Sequence, residues 1–520
     1  MQYSILLIPL FFLSLIFLLK RFRSSQTKSN LPPSPPRLPV IGNLHQLGTL
    51  PHRSLQTLSN KYGPLMLMKM GQVPTLVVSS SQMVKEIVKN YDVVFSDRPK
   101  TTAADILLYG CQDPGFAPYG EYWKKIRKIC VVELLSHKRV HEFEFVRVVE
   151  TNLLVDRISR ACHNDVGEPL NLSKLLVGTS NNIVSMCILG QRFEDENGQS
   201  KFGDLTRRFM EDFMAFSVQD FFPTKYARWI DVVRGLIGRL KSNFRELDTF
   251  YDQVVEEHKA GLKSSDGGSH SKDFLDILLA LQKDDFDLTQ DSMKAILMDL
   301  FVGGSDTTST ALEWLMAELV KSPRVMKKAQ EEIRRVVGNK GKIDMNDINQ
   351  MEFLQCVIKE GLRLHPPAVL LVPRKTMSNA ELGGYNVPEN TRVFINAWAV
   401  QRDPTVWDKP DEFIPERFEN NPIEFKLGQD FELIPFGFGR RGCPGLEFGV
   451  TSLQYMISNL LYWFDWKIPT NNANNGDDDQ IMLGEELDMD EVYGLTVHKK
   501  TPLYLIPSSY APFMCTDQCT

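Results

Sequence analysis

The chain has 520 residues, 43% hydrophobic and 24% charged, which is enough for a large buried core. Its formal net charge of −6 excludes a globally basic surface of the kind that binds nucleic acid. Eight scattered cysteines (111, 130, 162, 187, 356, 443, 515 and 519) form no C-x-x-C pair, which excludes zinc-ribbon and iron–sulfur patterns and points to reduced thiols.

Tyr3 to Leu19 is almost wholly apolar and is followed by Lys20, Arg21 and Arg23. A helix of that length spans about 25 Å, the short end of what crosses a bilayer. The basic flank predicts that the rest of the chain stays in the cytoplasm. A cleaved secretory signal fits less well, because the charges follow the apolar run and no small-x-small site comes after it. Five prolines between Pro32 and Pro39 then make a stiff, extended spacer. The expected division is an anchor over 1–20, a basic and proline-rich hinge over 21–42, a globular body over 43–510 and a tail over 511–520.

Within the body, Leu65 to Ser79 alternates and reads as a β-hairpin turning at Gly71. Helical periodicity covers roughly 118–136, 142–161, 171–190, 203–217, 231–260, 273–282, 288–338 with breaks, and 349–364. Polar loops are expected at Gly261–Lys272 and Asn471–Asp479, and short strands at Val387–Ile395 and Leu495–Ile506. The expected fold is mainly α with small β-sheets.

Four places along this body carry chemistry. Trp123 and Arg127 are one helical turn apart and share a face with lysines around them. Gly303-Gly304-Ser305-Asp306-Thr307-Thr308 interrupts a helical pattern with two glycines, each costing about 1 kcal/mol relative to alanine. Room for a ligand beside Asp306 and Thr307 would offset that cost; alternatively, Thr307 back-bonds within its helix. Glu360 and Arg363 share a helix face, and Pro415-Glu416-Arg417-Phe418 offers a further arginine. Last comes Pro435-Phe436-Gly437-Phe438-Gly439-Arg440-Arg441-Gly442-Cys443-Pro444-Gly445, with an apolar helical pattern after it. The glycines permit a tight turn that points backbone N–H groups at the sulfur, Pro444 suits a first helical turn, and Phe436 can shield the thiolate. A lone thiolate held this way suits the axial ligand of a haem iron; a buried structural cysteine is the plainer reading.

Phe436-x-x-Gly439-x-Arg441-x-Cys443-x-Gly445 resembles the haem-binding signature of the cytochromes P450, and other segments match that family in chain order. The anchor, the proline-rich hinge and the wording of the cysteine loop resemble the plant microsomal enzymes of clan 71. The resemblance implies the cytochrome P450 fold with an N-terminal transmembrane anchor, haem b as cofactor and Cys443 as its iron ligand. It implies Asp306 and Thr307 as the oxygen-activating acid–alcohol pair. Trp123, Arg127, Arg374 and Arg441 would contact haem propionates, with Phe436 and Gly445 against the cofactor. Glu360, Arg363 and Arg417 would form a buried network behind it, where Gly361 stands in place of the commoner threonine or serine. Ile106, Phe116, Gly303, Ala368, Val369, Leu370, Val372 and Tyr493 would line an apolar substrate pocket; each also suits an ordinary core position.

The function so implied is a haem-thiolate monooxygenase that oxidises a small apolar plant specialised metabolite (a terpenoid, alkaloid or phenylpropanoid) with O2. Electrons would come from NADPH through cytochrome P450 reductase docked on Lys124, Lys125, Lys128 and Lys138, with cytochrome b5 as an optional donor. The protein would sit in the endoplasmic reticulum membrane by a single span and face the cytosol. Two alternatives stay open: a dehydratase or isomerase on the same fold that needs no O2, and a non-catalytic haem-binding membrane protein.

Overall fold

The computed structural model describes residues 30–192, 201–264, 272–283, 288–469 and 487–510. The expected anchor, the hinge before residue 30, the loops over 265–271 and 471–479, and the tail with Cys515 and Cys519 lie outside them. Among the described residues, the hairpin forms as the alternation predicts. β1 (Leu65–Met70) pairs antiparallel with β2 (Val73–Val78), and Gly71 takes φ 63° at the turn. α1 (Glu121–Lys128) carries Trp123 and then widens into a π turn over Ile129–Leu134, so the helix expected to 136 changes character midway. The helix expected over 231–260 is two, Lys225–Val233 and Leu236–Ser264, broken where Gly235 takes φ 78°.

α2 (Leu172–Leu189) is apolar and long enough to cross a membrane, but two-thirds of it is buried within the protein, so it is a core helix. The central element is α3 (Gln290–Lys321). At 1.5 Å per residue its 32 residues run about 48 Å. Thr289 starts it, its hydroxyl accepting from the Ser292 N–H, as an N-cap should. α3 packs against α2, α4 (Glu352–Leu364) and the later helix α5 (Leu446–Trp463). Leu297, Leu312, Leu315 and Met316 from α3 meet Leu354, Leu362, Leu453 and Met456 in one large core.

Between α4 and α5 the chain lays down β3 (Arg374–Lys375) and β4 (Arg392–Ile395). β4 runs parallel to β2 with Val78 opposite Ile395, and β3 closes the sheet antiparallel to β4. The single strand expected over 387–395 is divided, because a turn with Asn390 at φ 56° separates Tyr385–Val387 from β4. The stretch 495–506 likewise splits into strands Val497–Lys499 and Tyr504–Ser509. The six cysteines among the described residues form no disulfide with one another.

Gly361 has a packing reason. A Cβ there would stand 2.3 Å from Leu315 Cδ2, so glycine is what lets α4 lie against α3. Gly361→Thr should therefore destabilise the protein by about 1–3 kcal/mol. Urea unfolding of this variant with and without Leu315→Ala checks the cause, since the smaller partner should restore much of the loss.

Candidate active site

The cysteine loop is a fixed turn. Gly437 and Gly439 take φ 73° and 60°, backbone that only glycine adopts without strain. The Gly442 N–H donates to the Gly439 carbonyl at 3.0 Å and the Cys443 N–H to the Phe436 carbonyl at 2.8 Å. α5 starts at Leu446 with Gly445 as its cap, so Pro444 precedes the helix and does not sit in its first turn. Cys443 is thus next to the helix rather than at its cap. Burial pushes its thiol up; the Gly445 N–H and the Arg127 guanidinium pull the other way. Arg127 also donates from Nη2 to the Gly442 carbonyl at 2.6 Å, which ties α1 to the loop.

Three guanidiniums gather beside this turn. Arg441 donates to the carbonyls of Ser96 (2.7 Å), Pro114 (3.3 Å) and Ala117 (2.5 Å), with its Cζ 4.2 Å from the centroid of the Trp123 ring. Arg374 donates from Nη2 to the Phe438 carbonyl at 2.7 Å and lies over the Phe438 ring, while its buried Nη1 has no partner. Arg98 donates to the carbonyls of Gly115, Val372 and Pro373. Burial lowers all three, Arg374 to about 10 and Arg441 to about 9, and the charges of Arg441 and Arg374 depress Arg98 further. Like charges packed this closely call for an anionic group among them. The Trp123 indole N–H donates to the Pro114 carbonyl at 3.0 Å, so this residue supports Arg441 by its ring and spends its hydrogen bond on the backbone.

Opposite stands the glycine stretch of α3, through which the helix runs unbroken. The two glycines there have different reasons. A Cβ on Gly303 would meet nothing within 4 Å, whereas one on Gly304 would stand 3.0 Å from Val184 of α2 and 3.9 Å from Phe448 of α5. Gly303 therefore leaves open space, and Gly304 allows close packing over the start of α5. Thr307 donates to the Gly303 carbonyl at 2.6 Å, the back-bonding left open above. Asp306 accepts from the Thr496 hydroxyl at 2.7 Å, and Thr496 also meets Thr310 at 3.1 Å. Burial pushes the Asp306 carboxyl up, with Thr496 and His498 opposing.

Behind the cysteine loop, Arg363 grips Glu360 by two bonds, Nε to Oε2 at 2.7 Å and Nη2 to Oε1 at 2.9 Å, with both side chains fully buried. Arg417 adds a third at 3.0 Å. Arg363 also donates to the carbonyls of Gln401 and Pro410, and Arg417 to that of Asp408, so the network pins the segments leading to the loop.

The expected pocket residues do not all behave alike. Phe116 packs edge-on against Phe213 at 5.2 Å, and Phe213 stacks on Phe209. Ile106 is partly buried against the same large core and lines a cleft with Thr102, Asp105 and Asp220. Val369 and Leu370 are instead members of a separate buried cluster with Leu55, Met66 and Trp398, against which Tyr493 packs. Ala368 closes the turn before Leu371, and Val372 is half-exposed, holding Arg98 by its carbonyl.

Sequence reading missed four residues. Arg98 hides in an ordinary loop before Pro99. Thr496 lies three residues past Tyr493, in the stretch expected to be a strand. Asp113 and Asp299 form a buried acid pair: Asp299 accepts from the Gly115 N–H at 2.7 Å and Asp113 from the Phe116 N–H at 2.6 Å. Burial pushes Asp113 up to about 6 and Asp299 well above the usual range, the two sharing a hydrogen bond. An acid four residues before Gly303 in an apolar run was the available signal.

The family model for cytochrome P450 matches residues 32–489. The chain belongs to the cytochrome P450 family. It is 56% identical over 519 residues to phenylacetaldehyde oxime monooxygenase of Prunus mume, covering 98% of this chain and 96% of that one. Strychnine-11-hydroxylase of Strychnos nux-vomica is 44% identical over 97% of this chain and 96% of its own. A zebra fish cytochrome P450 solved with abiraterone superposes with a TM-score of 0.69 at 24% identity, over 89% of this chain and all of that one, which shows the shared fold. As a plant-type cytochrome P450 the protein is a monooxygenase, with cysteine-ligated haem b as cofactor. The residues present fit that group. Its propionates would supply an anion for Arg98, Arg374 and Arg441, and Arg374 Nη1 has a donor to spare.

Proposed function

We propose that Cys443 ligates the haem iron and that the protein uses O2 and NADPH electrons, delivered by cytochrome P450 reductase, to oxidise a small aromatic metabolite. The aldoxime class, that of the Prunus relative, is the first candidate. The observation that carries the reading is the packing of three buried guanidiniums: Arg441 in the turn that bears Cys443, Arg374 bonded to that turn, and Arg98 beside both. A thiolate-ligated haem supplies cleavage of the O–O bond.

The chain's own residues do the rest. Arg374, Arg441 and Arg98 hold the propionates and Arg127 steadies the loop. Gly303 keeps space clear on α3. Asp306, its carboxyl pushed up by burial, is the acid placed to pass a proton toward that space, and Thr496 fixes which way the carboxyl points. Thr307 keeps its hydroxyl oriented by the Gly303 carbonyl and presents its lone pairs. Phe116 and Phe213 supply an aromatic wall. The N–H of Gly115 on Asp299 anchors that wall one turn before Gly303.

The membrane reading has support in the described residues. Ile41 of the proline-rich hinge and Phe221 both accept bonds from the β1–β2 turn. Beside them Leu38 and Val40, with Tyr226, Trp229 and Val233 of the helix Lys225–Val233, expose large apolar side chains. This face would lie on the endoplasmic reticulum bilayer beneath an anchor over 1–20, with residues 21–42 as hinge and 43–510 as the cytosolic catalytic domain. Lys124 and Lys138, near the cysteine loop, suit an acidic reductase, with cytochrome b5 as a second donor.

The test is turnover of phenylacetaldehyde oxime by the full-length protein with and without reductase. Product should need both NADPH and reductase, and Asp306→Asn should lower the rate about a hundredfold with substrate binding kept. Product formation without reductase supports the dehydratase alternative, and a haem protein with no turnover on any aromatic oxime sinks the substrate class.

A further inference from the structure

A second cluster of ligand-type side chains lies on the side of the molecule that carries the cysteine loop. The short helix His137–Glu142 packs against α5. His137 and His141 are one turn apart with ring centroids 4.4 Å from each other. His137 Nδ1 is 2.9 Å from Oε1 of Glu447, in the first turn of α5 and four residues after Cys443. One donor atom from each of the three side chains lies within 4.8 Å of the other two. The side chains are 74%, 40% and 43% exposed for His137, His141 and Glu447, so a solution ion can reach them.

Histidines at i and i+4 share one helix face, the spacing found in zinc-binding helices. Two imidazoles and a carboxylate also leave a fourth position for water. The surrounding charges permit a cation. Lys138 and Arg139 both turn to Glu142, and Glu144 adds a second acid 3.9 Å from His141. The other histidine–acid group, His258 with Asp273 and Asp276, differs. Both ring nitrogens of His258 are engaged, by the Val254 carbonyl and by Asp273, whose hydrogen bond holds the imidazole up at about 9. That group is an ion pair.

We propose that His137, His141 and Glu447 bind a divalent transition metal of the Zn2+ class, and that the bound ion slows electron delivery to the protein. The second half rests on the reading that a reductase docks on this lysine-bearing face. An ion there ties the helix His137–Glu142 to α5 and adds a hydrated body to the docking surface; its charge has the same sign as the lysines, so the slowing comes from bulk and stiffening.

The experiment uses haem-loaded full-length protein and ZnCl2. Calorimetric titration should show a one-to-one site that His137→Gln/His141→Gln weakens by at least roughly tenfold. Equal uptake by wild type and double variant overturns the site. The same reductase is then supplied to both proteins. Zn2+ should slow NADPH-supported turnover of the wild type more than that of the variant, and should leave peroxide-supported turnover unchanged. Equal slowing of both proteins overturns the regulatory half while the binding result stands. Failure of the docking reading itself is separate, and shows as no reductase-supported turnover in metal-free buffer.

Discussion

Cys443→Ser, expressed alongside wild type with haem supplied, should lose the red-shifted CO band of a thiolate-ligated haem and all NADPH-supported turnover. The hydroxyl is nearly isosteric, so the loop should keep its turn: the Cys443 N–H still reaches the Phe436 carbonyl, and Arg127 still holds Gly442. What goes is the thiolate's electron donation to the iron, on which O–O cleavage depends. The reduced CO spectrum checks this directly. A variant that keeps the thiolate-type band would move the ligand to another cysteine. Cys130 and Cys187 are poor substitutes, because burial pushes each thiol up to about 12 and keeps it protonated.

The second large effect belongs to Glu360. Its carboxylate accepts from Arg363 twice, from Arg417 once and from the Ile414 N–H, in full burial. Glu360→Gln keeps the shape and removes the charge, leaving two guanidiniums in the interior without their counter-ion. Breaking a buried pair from one side costs about 3–5 kcal/mol. Total stability is only about 5–15 kcal/mol, so most of the margin goes. Urea unfolding midpoints and haem content should both fall sharply. Adding Arg363→Met should recover part of the loss, because the interior then holds one stranded charge fewer. A Glu360→Gln protein as stable as wild type would show that the network is ornamental.

These two effects lie where the sequence was most legible. The cysteine loop and the Glu360–Arg363 pair are local: each depends on residues within a few positions, and helix or turn geometry fixes how they meet. Gly361 and Gly304 were legible as oddities, but their partners, Leu315 and Val184, are distant in the chain, so only the packing reveals the reason. Arg98, Asp113 and Asp299 were invisible for the same cause. Their meaning lies in three arginines and two acids brought together from separate loops and from α3. Val369, Leu370 and Tyr493 keep both of their readings, because each packs in or against a buried cluster. Apolar residues suit a pocket wall and a core equally, and periodicity does not say which face of a loop turns inward. Helix breaks at Gly235 and in the π turn after α1 escaped notice because the apolar pattern continues through both.

The central claim is monooxygenation at this site, and labelled oxygen tests it most directly. Turnover under oxygen-18 gas, with reductase and NADPH, should place one labelled atom in the oxidised product or in the oxygen-bearing fragment released from it, and the other in water. Product that forms at full rate without O2, or that carries oxygen only from solvent, would contradict the account.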